Sequence, residues 1–593
     1  MENAEWYYNE GIENTEKGDY DKALDMFTKS LEVQPDFDLA YAARGHIKSI
    51  LKDYEGAIED LNRAIIVNPS NPSLYYMRGL AKLFLQKFSE ALPDFNMSLK
   101  IDPTFHDSYF YRASIKYEND DDESALEDLN EAIIHFPEFE DAYILRSEVK
   151  LSLKEFDGAY VDADMAIKLN NQNYASYLNR AKAKSSKGNY KGAIEDLDIS
   201  IELNDQEVEP YYIRAVARKT LGDFELAIND LKKVIDLEPD SPMPYWLTGL
   251  IEDQRNNTDE ALKYLDEAIS ISADNPFMYV DRAFIKLKTE PDSALEDFSM
   301  AITLYPELSN AYYGRAVVKS VMHDFEKALQ DINIAISLSP EETKYYYDRA
   351  KIYISLGSFD ESIEDLNLII SNNPDYIQAY YLRARSKMGI LDYKPALSDL
   401  NIALKLDPEM GEAYFERAYV KSFVFHDYKG AIEDYNFLIT LQPDSVDAYA
   451  ERAITKSKIS DFETAEKDAL KAIELGATKF MGYYALGLVY QSMEKNKEAI
   501  EQFDKAISLN PHNANIHFYK GRSEFNIGSF DNAEEAMDTV INLEPNYYDA
   551  YYFKGNIKEI QGNEPEAVME WQKASELGSP EATDKLKKRK LAN

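Results

Sequence analysis

The sequence predicts an all-α solenoid built from tandem helix–turn–helix units. Three observations carry that prediction: a 34-residue period through almost the whole chain, small residues at two fixed points of the period, and turn or helix-stop residues at two others. Segments 40–69 (AYAARGHIKSILKDYEGAIEDLNRAIIVNP) and 379–408 (AYYLRARSKMGILDYKPALSDLNIALKLDP) align without a gap. Self-similarity at such a period marks stacked supersecondary units. In this register seventeen repeats begin at residues 4, 38, 72, 106, 140, 174, 208, 242, 276, 309, 343, 377, 411, 446, 480, 514 and 548. One spacing is 33 (276 to 309) and one is 35 (411 to 446).

Each position meets a requirement of a packed helix pair. The fourth is Tyr in sixteen repeats, with His517 the exception, and the eighth is always Gly, Ala or Ser. The twentieth is Ala except at Ser362. Small residues let two helices approach while the aromatic fills the space beside them. Pairs such as Gly18-Asp19, Gly188-Asn189 and Gly222-Asp223 break the first helix and start the second. A proline near the thirty-second position of twelve repeats (Pro35, Pro69, Pro103 and their equivalents) stops it.

Composition bounds the function. At 593 residues the chain exceeds a single compact core, yet no linker-like stretch divides it, which favours growth by addition of units. The net charge of −42 repels phosphate backbones and anionic leaflets, so nucleic acid and membrane are poor partners. Cysteine is absent, which excludes disulfides, thiolate zinc sites and cysteine nucleophiles. The acidic start lacks the pattern of a secretory leader, and no apolar run suits a membrane span. A cytoplasmic protein is expected.

A large residue at the fourth position, a small one at the eighth, Ala at the twentieth and Pro near the thirty-second together resemble the tetratricopeptide repeat family. The resemblance covers residues 4–581. It implies antiparallel pairs stacked into a right-handed superhelix whose concave face holds a peptide or a partner's helix. Residues 582–593 then read as a polar capping helix with a basic tail. In a eukaryotic source Lys587-Lys588-Arg589-Lys590 would serve as a nuclear import signal.

The seventh position departs from the family pattern. It is Arg in twelve repeats: Arg44, Arg78, Arg112, Arg146, Arg180, Arg214, Arg282, Arg315, Arg349, Arg383, Arg417 and Arg452. The same twelve carry an Asp in the second helix: Asp60, Asp94, Asp128, Asp162, Asp196, Asp230, Asp297, Asp331, Asp365, Asp399, Asp434 and Asp468. The two come and go together, which predicts a charge-assisted pair between the helices of a unit. Eleven of the twelve also have a basic residue one turn after the Arg, with Tyr353 the exception. The five exceptional repeats leave two regular blocks, 38–241 and 276–479, around a deviant repeat at 242–275, with C-terminal repeats at 480–581. A duplication boundary and a special face both fit that spacing.

No phosphate loop, metal constellation or catalytic set can be assembled, so neither an enzyme nor a cofactor protein is expected. His323 and His426 fall in turns, and His512 and His517 lack companion ligands. The candidate partner-binding residues occupy the fifth position, which tends to face the groove in the family: Tyr76, Phe110, Tyr212, Trp246, Tyr313, Tyr347, Tyr381 and Phe415, with Tyr484, Phe518 and Tyr552 beyond them. Tyr and Trp suit a groove because they offer area and a polar tip with few rotamers to freeze. Packing between repeats is the competing role. The expected function is a scaffold or adaptor binding one or more proteins or peptides in the groove. The alternative is a regulatory or assembly subunit that uses an acidic convex surface.

Overall fold

The computed structural model describes residues 3–592. Among these, seventeen antiparallel helix pairs precede a closing helix, Pro580–Ala592, and there is no strand. The first helix of each pair starts at the residue that opens its repeat, from Ala4 to Tyr548. The chain divides into two compact units, one ending at Leu304 and one beginning at Tyr305. The sequence pattern suggests one uninterrupted array, and the division falls within the one 33-residue repeat, just behind its second helix. Each unit is a stack of hairpins of the same design. None of the described helices is long and apolar enough to cross a membrane.

The turn inside each hairpin is built from two adjacent residues. The first adopts a left-handed backbone in sixteen repeats, from Gly18 to Gly562. Only six of these are glycine; the others include Lys52, Leu391, His323 and His426. The next residue caps the second helix, as when Asp53 accepts from the Gly56 amide and Asp427 from the Gly430 amide. Chain reversal is thus fixed locally, and the left-handed position tolerates many residues because so much packing holds it in place.

The two irregular spacings have separate local causes. In the 33-residue repeat the first helix is cut to Pro276–Lys286 and no left-handed residue follows it. In the 35-residue repeat the extra residue is absorbed within the first helix, where Gly411–Tyr419 runs into a π-helical turn, Val420–Val424.

Inside each pair, the alanines at the twentieth position are fully buried, as at Ala23, Ala261 and Ala567. Four of the seven glycines at the eighth position face a ring, while Gly45, Gly249 and Gly521 face Leu61, Leu265 and Met537. Phe27, Phe95, Phe503 and Trp571 face Gly11, Gly79, Gly487 and Gly555. A Cβ on Gly487 would lie 2.5 Å from the Phe503 ring. Leucine takes that place opposite alanine, as with Leu197 and Ala181. An aromatic ring faces alanine only at Phe298 and Tyr435, in the two repeats of irregular length.

Gly487→Ala should therefore overpack repeat 15 and cost about 1–3 kcal/mol, despite the better helix propensity of alanine. Adding Phe503→Leu restores the leucine–alanine match, so the double variant should be more stable than the sum of the singles. Urea unfolding followed by circular dichroism measures the coupling, and strict additivity would refute the size match.

Candidate functional site

The twelve arginines project from first helices, and a typical one, such as Arg383, holds three helices at once. Arg383 donates through Nε and Nη2 to the two carboxylate oxygens of Asp399 at 2.9 and 2.6 Å. Its Nη1 donates to Asn367 Oδ1, on the second helix of the preceding repeat, at 2.6 Å. Lys387 donates to the same Asp399 at 2.7 Å, and the guanidinium lies over Tyr380, 5.5 Å from its centroid. The forked contact recurs in all twelve repeats, for instance at Arg44–Asp60, Arg78–Asp94, Arg112–Asp128 and Arg315–Asp331. The aspartates are buried, so each needs its cation in place. In repeat 11, where the lysine is missing, Tyr353 covers Arg349 instead.

The acceptor in the preceding repeat is a feature that pairing within a unit did not suggest. Thr28, Asn62, Asn96 and Asn130 receive Arg44, Arg78, Arg112 and Arg146. Where its own repeat carries the buried Asp, the acceptor stands two residues after it, often as Asp-Leu-Asn; Thr28 and Asp266 hold the same place behind Met26 and Tyr264. Its signal in the sequence is negative: the place is Lys232 and Leu470 just before repeats 8 and 15, whose seventh residues are Thr248 and Leu486. The arginine bridge is therefore missing at those two junctions. At the second, the first helices of repeats 14 and 15 pack directly through Ala450, Ile454, Leu486 and Val489.

The fifth-position aromatics lie between successive first helices and, apart from the buried Phe518, are half-buried. Tyr76 packs on Phe105 and Tyr111, Phe110 on Phe139, and Tyr347 on Tyr376. Trp246 and Tyr313 reach the sixth residue of the next repeat: the indole N–H donates to Asp281 and the phenol to Asp348, both at 2.8 Å. Tyr212 opens onto a cleft of about 550 Å³ with Glu207, Glu209, Glu238 and Met243. Tyr381 and Phe415 are brought together in a second cleft, of about 230 Å³, with Glu412, Glu416 and Asp447.

Asp281, Glu416 and Glu451 are held above the usual carboxylate range. Burial raises Asp281, with Trp246 opposing it, and raises Glu416, with Arg385 opposing it. Glu451 is the extreme case: burial, with Asp447 adding, pushes it up to about 7. Its Oε2 has no hydrogen-bond partner, and neither has the hydroxyl of fully buried Tyr435 nearby.

Three of the histidines serve the backbone. His323 and His426 are left-handed turn residues, and His517 binds the Pro511 carbonyl as Tyr75 and Tyr551 bind Pro69 and Pro545. Among the described residues no group of His, Asp or Glu stands where it could hold a metal ion.

Family models for the tetratricopeptide repeat match residues 4–37, 212–276, 343–376, 481–513 and 520–582, and a TPR repeat model matches 50–83. The chain is a tetratricopeptide repeat protein. As such it belongs to the protein-interaction scaffolds. No curated protein matches its sequence. Among solved structures it is similar to the Cut9–Hcn1 hetero-tetramer of APC/C, at 15% identity over 76% of this chain and 96% of that one, with a TM-score of 0.39. Yeast Tom70 matches at 19% identity, over 77% and 95%, with a TM-score of 0.38. Naa15/Naa10 bound to HypK matches at 13% identity, over 91% and 100%, with a TM-score of 0.32.

Two outcomes test this geometry. Arg383→Ala removes the forked pair and leaves buried Asp399 with Lys387 as its remaining cation, so it should cost up to about 3–5 kcal/mol, part of which Asp399→Ala should recover when combined with it. Hydrogen exchange in repeats 11 and 12 reads the effect. Glu451 keeps its proton to about pH 7 when folded, whereas its ordinary value is 4.5. It therefore costs no stability below pH 4.5, an amount that grows between pH 4.5 and about 7, and a constant amount above that. Glu451→Gln should match the parent near pH 4 and exceed it by on the order of 3 kcal/mol at pH 8. Denaturation at the two pH values decides this, and an equal difference at both would refute it.

Proposed function

We propose that this tetratricopeptide repeat protein is a cytoplasmic scaffold that binds an extended protein segment along the face formed by its first helices. One observation carries the reading: that face combines half-buried aromatics, open clefts and, at Asp281, Glu416 and Glu451, carboxylates held above their usual range. The guanidinium network supports a framework role for Arg44, Arg78, Arg112, Arg315 and Arg383, because each forks onto a buried aspartate and lies over a tyrosine ring. The aromatics divide by surroundings. Trp246 and Tyr313 spend their polar tips on the next repeat, whereas Tyr212, Tyr381 and Phe415 border open space. Binding, rather than catalysis, is what such a surface supports, since its polar groups are spread along a groove.

The alternative, an assembly subunit that uses the acidic outer surface, predicts a different sensitivity. Tagged full-length protein captured from its native cells is compared with a Tyr212→Ser/Tyr381→Ser variant whose fold is checked by circular dichroism. Loss of the partner in the variant at unchanged salt is the expected result. A partner that stays bound to the variant but is released by raised salt moves the function to the outer surface.

A further inference from the structure

The sixth residue of a repeat is acidic at four places, Asp281, Asp348, Glu416 and Glu451, and the fifth-position aromatic of the preceding repeat carries a donor at the first three but not at the last. Trp246 and Tyr313 each donate a hydrogen bond to the acid that follows them, Asp281 and Asp348. Tyr381 stands in the field of Glu416. At the next step the acid is Glu451, but the aromatic is Phe415, which has no donor. Glu451 Oε2 is buried without a partner, and among the described residues no basic side chain pairs with it. Burying a carboxylate without a cation or donor is expensive, so the site is incomplete by itself.

Three neighbours make the gap ligand-shaped. Tyr435 is the only tyrosine at a second-helix place filled elsewhere by Leu, Ile, Phe, Ala, Met or Trp. Its hydroxyl is fully buried, unpartnered and in the fields of Glu451 and Glu416. Its ring stands edge-on to Phe415, at 6.0 Å. The cleft on the far side of Phe415 is walled by Tyr381 and Phe415 with Glu412, Glu416 and Asp447, and Glu451 stands behind that wall, one helical turn beyond Asp447 and within its field. The π-helical turn Val420–Val424 lies in the same repeat as Tyr435, where such turns commonly accompany functional sites.

The geometry points to a lysine or arginine side chain of the bound segment as the occupant of this cleft. Its aliphatic stem lies across Tyr381 and Phe415, and its cationic head sits among Glu416, Asp447 and Glu451. The inference rests on the proposed groove function and names its ligand chemistry. Lysine and arginine both bury an apolar stem while presenting a charge, which matches a cleft with aromatic walls and an acidic floor.

The test titrates the full-length protein with Nα-acetyl-lysine methylamide and Nα-acetyl-arginine methylamide, read by saturation-transfer NMR, with the norleucine analogue as the uncharged control. Saturable binding of a cationic probe in the millimolar range is expected, with none for norleucine. Glu416→Gln/Glu451→Gln should weaken it about tenfold or more. Phe415→Tyr keeps every charge but supplies the missing donor to Glu451, so it too should weaken the probe, while raising thermal stability. Asp447→Asn, at an exposed position, replaces the double variant should that one unfold. Equal binding to the parent and the Gln variants, equal binding of norleucine, or no saturation up to on the order of 10 mM overturns the proposal. A cellular partner that is lost from Tyr212→Ser/Tyr381→Ser but held by Glu416→Gln/Glu451→Gln refutes the cation cleft alone. A partner held by both refutes the groove reading itself.

Discussion

The buried aspartate of the second helix is the constraint on which most of the structure depends. A carboxylate in that place is tolerated only with a cation locked against it, and a planar, forked guanidinium meets the need better than an ammonium would. The arginine then fixes the separation of its own two helices, and its remaining nitrogen fixes the step to the preceding repeat. Tyrosine beneath the guanidinium and lysine beside the carboxylate complete the arrangement, as at Tyr380, Arg383, Lys387 and Asp399. Small residues at the eighth and twentieth positions permit close packing, but the ionic network sets its register.

Where that network is interrupted, other interactions take over. Repeat 16 keeps the step to its neighbour through Lys520 and Asp504, and repeat 17 uses Lys554 with both Asp538 and Glu570. Between repeats 14 and 15 there is neither arginine nor acceptor, and direct contact of small and aliphatic residues on the first helices replaces them. That closer approach explains why Glu451 is buried at all. A junction made by apolar packing has drawn a carboxylate inward on its flank, whereas Asp281 and Asp348 in the other contacts keep a donor. Framework and candidate binding surface are thus coupled at the irregular repeats, where departures from the repeat pattern gather.

Much of the fold was legible in the sequence because it is periodic. Helix starts, small contact positions and the covariation of Arg with Asp all recur every 34 residues, so each is observed many times over. The left-handed turn was legible at Gly18 and Gly222 but not at Lys52 or Leu391, since only glycine advertises that conformation. The asparagine acceptor was written in the repeat too, yet its meaning is relational: Asn367 makes sense only beside an arginine that comes later in the chain. The π-helical turn was hidden because a spacing of 35 does not say where the extra residue goes. At the candidate site, the pairing of an aromatic with the acid of the next repeat joins residues about 35 apart through side-chain geometry, which no hydrophobic period encodes.

The divided loyalty of each arginine also bears on how such a protein can be lengthened or recombined. A 34-residue repeat excised from the start of one first helix to the start of the next carries its arginine and aspartate together but leaves behind the asparagine on which that arginine leans. It also brings an asparagine suited only to a successor with an arginine. The exchangeable cassette is therefore bounded by its seams rather than its hairpins. A graft succeeds where Asp-Leu-Asn is followed by an arginine-bearing repeat, and the natural splice points are the two junctions before repeats 8 and 15, where neither side makes that demand.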